Sequence, residues 1–308
     1  MNSVRIGLQR VSWLVSVSRG VKVWVFVSFC SLLIWIVYSF PSNIDHFLKI
    51  ASGKPDYYTS NLGMFLAYGV GLVARFFGVI LALAAGFLLW GGNGVYSGSR
   101  AVRFVEAALF LEGTFFVLLF PSGLWWIGLG PNFVGVGYLL QAVSAGTALL
   151  VLSFKVRDFG RDVSVLKWIG VAAVGYVGAL WFNVVFGWFD MIEVIGSSFL
   201  LRGATSWGFL GSLVTMTLAV FFAVVGAYLL AGNNGDSVWW FGLSLAMVGL
   251  HYVIYLGYAF SVGDFDSAMQ LDVWTLPFLG LGLSMLLTKV TKHIIELPTA
   301  TNPTQEKQ

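Results

Sequence analysis

Eight uninterrupted apolar runs divide the 308-residue chain, at residues 21–40, 62–90, 101–120, 133–154, 164–188, 207–231, 238–262 and 273–290. Crossing roughly 30 Å of hydrocarbon takes about 20 helical residues, so each run reads as a transmembrane helix. Backbone groups inside a bilayer have no water to bond, which leaves helices or a closed barrel as the spanning structures. A barrel needs short strands of alternating polarity, whereas these runs are continuous in Leu, Val, Gly, Ala and Phe. The expected fold is therefore an all-α integral membrane protein of about eight transmembrane helices. Composition agrees: 58% of residues are hydrophobic and 10% charged, against about 25% charged in soluble domains.

Charge sets the orientation. With the N-terminus inside and connections allocated alternately, Lys49, Lys54 and Arg202 fall outside and Arg75 within a span, leaving thirteen of the 17 lysines and arginines inside. That asymmetry is the positive-inside bias of an even number of spans with both termini cytoplasmic, as in a multi-pass plasma-membrane protein. Trp125, Trp126, Trp188, Trp207, Trp239, Trp240 and Trp274 sit near run ends, where interfacial anchors belong. The acidic cluster Asp264, Asp266 and Asp272 reads as a solvated outer loop.

Residues 1–20 carry Arg5, Arg10 and Arg19 among apolar residues and suit either an amphipathic helix on an anionic membrane face or a frayed basic tail. The first run lacks a small-residue cleavage site and reads as a retained anchor. Residues 291–308 form a Pro/Thr-rich tail expected to be disordered.

Between these ends, two four-helix units are expected, 21–154 and 164–290. Thr59-Ser60 returns as Thr205-Ser206 at an offset of 146. Leu88-Leu89, Gly91 and Asn93-Gly94 return as Leu229-Leu230, Gly232 and Asn234-Gly235 at 141, and Gly113 and Gly146 as Gly249 and Gly282 at 136. Four helices being even, the units would share one orientation about an axis normal to the membrane. The second run is long, and Gly69 and Gly71 mark where it tilts or breaks.

A charge near the bilayer centre costs about 2.5 to 3.5 kcal/mol on insertion scales, so each one needs a partner or a wet cavity. Arg75 and Glu112 come to similar depth on adjacent antiparallel helices and are expected to pair; Gln141 and His251 fall near the same plane, and Asn183 lies nearer the outer face. Six residues turn a helix through about 600°, so Glu106 points away from Glu112, toward Arg103 or Arg100. Either Arg75, Glu112, Gln141 and His251 line a polar chamber in which carboxylate and imidazole exchange protons, or they are a salt bridge plus isolated polar residues between packed helices.

Other chemistry is limited. Cys30 is the single cysteine, and of His46, His251 and His293 only His251 lies in a run, so bis-histidine haem and clustered metal ligands are not expected and no cofactor is assigned. Ser144 is too weak a match for a serine protease, no nucleotide loop is present, and whether the chain is an enzyme stays open. The expected partners are the lipid bilayer and other membrane subunits, with no nucleic acid. Arg75-Phe76-Phe77-Gly78 and the glutamate-bearing third run resemble the four-helix membrane proteins of the DoxX type, which carry an early arginine and a later glutamate within spans. The loop lengths differ, so no function is transferred. Three readings remain: a transporter or ion/proton-conducting protein, a quinone- or lipid-binding subunit of a redox complex walled by Trp125, Trp126, Trp239 or Trp240 around His251, and a structural or assembly protein.

Overall fold

The computed structural model describes residues 19–51, 65–91, 95–128, 133–158, 164–195, 203–232, 234–262 and 265–287. Helix α1 is Arg19–Ala51; α2 is a π-helical turn, Leu66–Gly71, continued by Leu72–Gly91; α3 is Val95–Gly128. Helix α4 runs from Phe133–Leu140 through a second π-helical turn, Gln141–Gly146, to Thr147–Lys155. Then follow α5 (Ser164–Ile195), α6 (Gly203–Ala231), α7 (Ser237–Val262) and α8 (Phe265–Leu287). The described residues contain no strand.

Among the described residues, seven helices carry a segment long and apolar enough to cross a membrane: Gly20–Tyr38, Gly69–Leu88, Arg100–Gly128, Gly135–Lys155, Ser164–Phe186, Leu210–Ala231 and Ser237–Tyr258. Of the expected eighth, the described residues give a shorter apolar stretch, Pro277–Leu287, and 288–290 lie outside them. Helix α8 begins earlier than its run and takes in Asp266 and Asp272 of the expected outer loop. Two other helices overrun their expected ends: α1 passes Pro41 and α3 passes Pro121, both of which are accommodated within the helix. The break expected near Gly69 and Gly71 appears as the first π-helical turn.

Each helix packs on the next in sequence, and α8 packs back on α1, so the eight helices close a circle. The outward faces are apolar. On α2, Val70, Val73, Phe77, Ile80 and Phe87 are exposed at helical spacing, and on α6 so are Leu210, Val214, Leu218, Phe221, Val224 and Tyr228. In water such stripes would be untenable; in lipid they are the expected solvent face. On the opposite side of α6, Met216, Ala219 and Ala223 join Val177 and Val248 in one buried cluster.

Glycines fix how closely the helices approach. A methyl placed on Gly113 of α3 would lie 2.9 Å from the backbone nitrogen of Leu150 on α4, and one on Gly249 of α7 would lie 2.7 Å from that of Leu279 on α8. Only glycine allows backbones this near. Between α6 and α7 the chain turns tightly, with Asn234 Oδ1 accepting from the Asp236 amide at 3.0 Å.

The amphipathic segment 1–20, apart from Arg19 and Gly20, and the tail 291–308 lie outside the described residues.

Candidate functional site

Arg75 lies on α2 two residues from Val73 and two from Phe77, which at 100° per residue turns it away from the lipid stripe those residues mark. It therefore points into the circle. Glu112 of α3 lies on the same side as Ala108, Phe115, Phe116 and Leu119, all buried and three to seven residues away along the helix. Gly78 brings α2 onto α3 beside Glu112, where a methyl would touch the glutamate Cγ at 3.4 Å.

The result is an ion pair, Arg75 Nε to Glu112 Oε2 at 3.6 Å, with side chains 14% and 18% accessible. This is a charge contact without a hydrogen bond. Arg75 Nε and Glu112 Oε1 are buried and have no hydrogen-bond partner among the described residues. The guanidinium is instead surrounded by rings: its Cζ lies 4.6 Å from the Phe115 centroid, 5.8 Å from Phe116 and 6.0 Å from Trp35 of α1. Cation–π attraction compensates part of its lost hydration, but a guanidinium has five N–H donors and rings satisfy few of them.

The other expected members do not join this pair. Gln141 is buried within the π-helical turn of α4. The approach of Gly113 to Leu150 places the level of Glu112 nine residues further along α4, about 14 Å from Gln141. His251 sits on α7, which is no neighbour of α2 or α3. Between them stand two tyrosines. Tyr176 of α5 packs edge-on to Phe116 at 6.1 Å and lies within electrostatic range of both Arg75 and Glu112. Tyr252 of α7 lies within range of Tyr176, stacks on Phe278 at 5.7 Å, and has the His251 ring 5.3 Å away.

His251 belongs to a separate seam between α6 and α7. The Ser244 hydroxyl donates to the Ala219 carbonyl at 2.8 Å, which fixes the register of these antiparallel helices. His251 is seven residues after Ser244 and Ser212 seven before Ala219, so the two face each other two turns away. Both are buried, and His251 Nδ1 and Ser212 Oγ lack hydrogen-bond partners among the described residues. Trp240 is eleven residues from His251 along α7, about 17 Å, and packs on Phe222. The walls expected of Trp239 and Trp240 are supplied by Tyr252 and Tyr255 instead.

Glu106 faces away from Glu112, as its helical angle requires, but its partner is neither Arg100 nor Arg103. Arg157, just past α4, donates to it twice, Nε to Oε1 at 2.6 Å and Nη2 to Oε2 at 2.9 Å. Those hydrogen bonds, with the glutamate charge, push the exposed Arg157 further above its already high range. The pair ties α3 to the α4–α5 connection and lies apart from the Arg75 site. Asn183 lies on α5 with its side chain outside the described residues. Among those residues no group of three potential metal ligands converges.

Sequence reasoning missed Trp35, Phe115, Phe116, Tyr176, Tyr252 and Ser212. The tyrosines carried a usable signal: a phenol deep within an apolar run, away from either interface, brings a hydroxyl that needs a partner. Comparison with protein-family models, with curated proteins and with solved structures found no match to this chain. The DoxX-type resemblance gains no support from a family model.

Proposed function

We propose that this chain is a transporter or ion/proton-conducting protein of the plasma membrane, with the Arg75–Glu112 pair as its substrate or proton site. One observation carries the reading: a paired charge inside spanning helices with Arg75 Nε and Glu112 Oε1 buried and without hydrogen bonds among the described residues. A pair kept only for packing would satisfy its donors and acceptors, because unmet polar groups in hydrocarbon are costly. Tyr176 and Tyr252 supply hydroxyls on the side toward His251, which serves as a second proton-labile group; Gln141 lies on the outer approach. In this reading α8 completes an even set of eight spans, both termini are cytoplasmic, and α1–α4 and α5–α8 are parallel repeats. Supporting the repeat, Gly113, Gly146, Gly249 and Gly282 all sit at close approaches within the α3–α4 and α7–α8 hairpins.

The test is proton movement into proteoliposomes under an imposed potential, with and without added anions. Glu112→Gln should insert normally and lose coupled movement; normal movement by that variant overturns the reading.

A second reading, a quinone- or lipid-binding subunit, draws on His251 Nδ1 and Ser212 Oγ, which together offer a head-group carbonyl or hydroxyl two partners. It predicts co-purification with cofactor-bearing membrane subunits. Isolation as a lone chain or homo-oligomer would count against it.

A further inference from the structure

We propose that the ligand of the Arg75 site is an organic monocarboxylate, bound together with one proton that Glu112 takes up. This rests on the reading of Arg75–Glu112 as a ligand site and names what fills it. The chemistry follows from the unmet groups. Glu112 Oε2 lies 3.6 Å from Arg75 Nε, beyond hydrogen-bond distance, and that Nε is buried without a hydrogen-bond partner among the described residues. The rest of the fork needs acceptors in one plane, which a carboxylate supplies bidentately. Glu112 Oε1 also stands buried without a partner. Two carboxylates at one guanidinium cannot both stay ionised in a low-dielectric site, so they share a proton.

Charge selects the class. The titratable groups facing Glu112 among the described residues are Arg75 on α2 and Tyr176 on α5. Arg75 with neutral Glu112 and neutral Tyr176 leaves one positive charge, which balances a monoanion and leaves a dianion such as phosphate uncompensated. Rings select the body: Phe115, Phe116 and Trp35 surround the guanidinium, giving apolar faces against which the non-polar end of an organic acid packs better than a hydrated inorganic ion. The proton balance is explicit. An acid whose ordinary pKa is about 4 arrives at pH 7 as the anion, Glu112 takes one proton from water as it binds, and both leave together, so the loaded site is neutral relative to the empty ion pair.

The experiment uses the full chain in detergent with benzoate as probe, following quenching of tryptophan emission and, in weak buffer with a pH dye, proton uptake at pH 7. Wild type should bind with uptake of one proton per benzoate. Arg75→Gln should weaken binding about tenfold or more, the loss of a charged bidentate contact. Glu112→Gln should bind benzoate with no proton uptake, and because it keeps Arg75 it tests the idea even where Arg75→Gln fails to fold. Absence of benzoate binding, binding by folded Arg75→Gln at full strength, unchanged proton uptake in Glu112→Gln, or equal competition by nitrate each overturns the proposal. Oleate serves as a second arm: tighter binding of oleate assigns the carboxylate to the bilayer, and tighter binding of benzoate assigns it to water, both within the proposal. Binding with proton uptake but no movement across proteoliposomes sinks only the transport reading, whereas proton or nitrate movement with no carboxylate binding sinks only this one.

Discussion

The α2–α3 hairpin and the α6–α7 hairpin occupy matching places in the two halves of the chain, yet they fill the space between their helices in opposite ways. On the proposed repeat, the offset of 141 pairs Arg75 with Met216 and that of 136 pairs Glu112 with Val248. Both Met216 and Val248 are fully buried in one apolar cluster. Where the first half holds an ion pair at 3.6 Å, the second half holds a methionine and a valine, and two of its buried polar residues, Ser212 and His251, sit one turn away from them. The same comparison holds for the backbone: π-helical turns interrupt α2 and α4, and none interrupts α5 to α8 among the described residues. An apolar pair in place of a buried ion pair is commonly neutral or stabilising. On the proposed repeat the second half closes without the charges, which points to a role for Arg75 and Glu112 beyond stability.

The largest effect is expected from splitting the pair. Arg75→Ala leaves Glu112 facing rings and costs on the order of 3–5 kcal/mol, read as a clear fall in thermal stability in detergent. Converting the site to the second half's solution, Arg75→Met with Glu112→Val, should recover most of that loss while abolishing proton-coupled activity. A double variant as unstable as Arg75→Ala would break the comparison, because the pair would then be needed for packing.

An intermediate effect comes from the helix crossings. Adding a methyl at Gly249, 2.6 Å from Leu279 Cγ and 2.7 Å from its backbone nitrogen, or at Gly113, 2.9 Å from the Leu150 nitrogen, forces backbones apart. Gly249→Ala and Gly113→Ala should each cost about 1–3 kcal/mol. Gly86→Ala, where nothing lies within 4 Å, should be neutral or slightly stabilising. The crossings also show where the halves diverge. If the repeat were kept in register, Gly249 would meet Leu286, the counterpart of Leu150; it meets Leu279, two turns away.

Seven spanning helices and the Arg75–Glu112 pairing were legible because they depend on counting: run length against bilayer thickness, and depth at 1.5 Å per residue. Depth alone does not say which helices are neighbours. Gln141 and His251 were placed with Glu112 on depth, and the register of α3 on α4 and the position of α7 in the circle separate them. Helix ends misled for a different reason. The apolar runs stop at 40 and 120, before Pro41 and Pro121, but a proline is tolerated in a membrane helix where neighbours re-satisfy the freed backbone groups. The aromatic cage was not legible at all, since Phe115, Phe116 and Trp35 are indistinguishable in sequence from the chain's many other rings.

The smallest effect sharpens the comparison inside the second half. Ser244 and Ser212 lie on facing helices of one seam and are almost equally buried, yet they differ in bonding. Ser244 donates to the Ala219 carbonyl at 2.8 Å, whereas Ser212 Oγ has no hydrogen-bond partner among the described residues. Hydrogen bonds between membrane helices average about 0.6 kcal/mol, so Ser244→Ala should lower stability by roughly that amount. Ser212→Ala removes an oxygen that is desolvated without return, and it should be neutral or stabilising. Thermal melts of the two variants in the same detergent decide the matter. If Ser212→Ala proves the more damaging, the Ser212 hydroxyl has a partner in the membrane, and the face it shares with His251 is an occupied polar site like the one at Arg75 rather than a gap between packed helices.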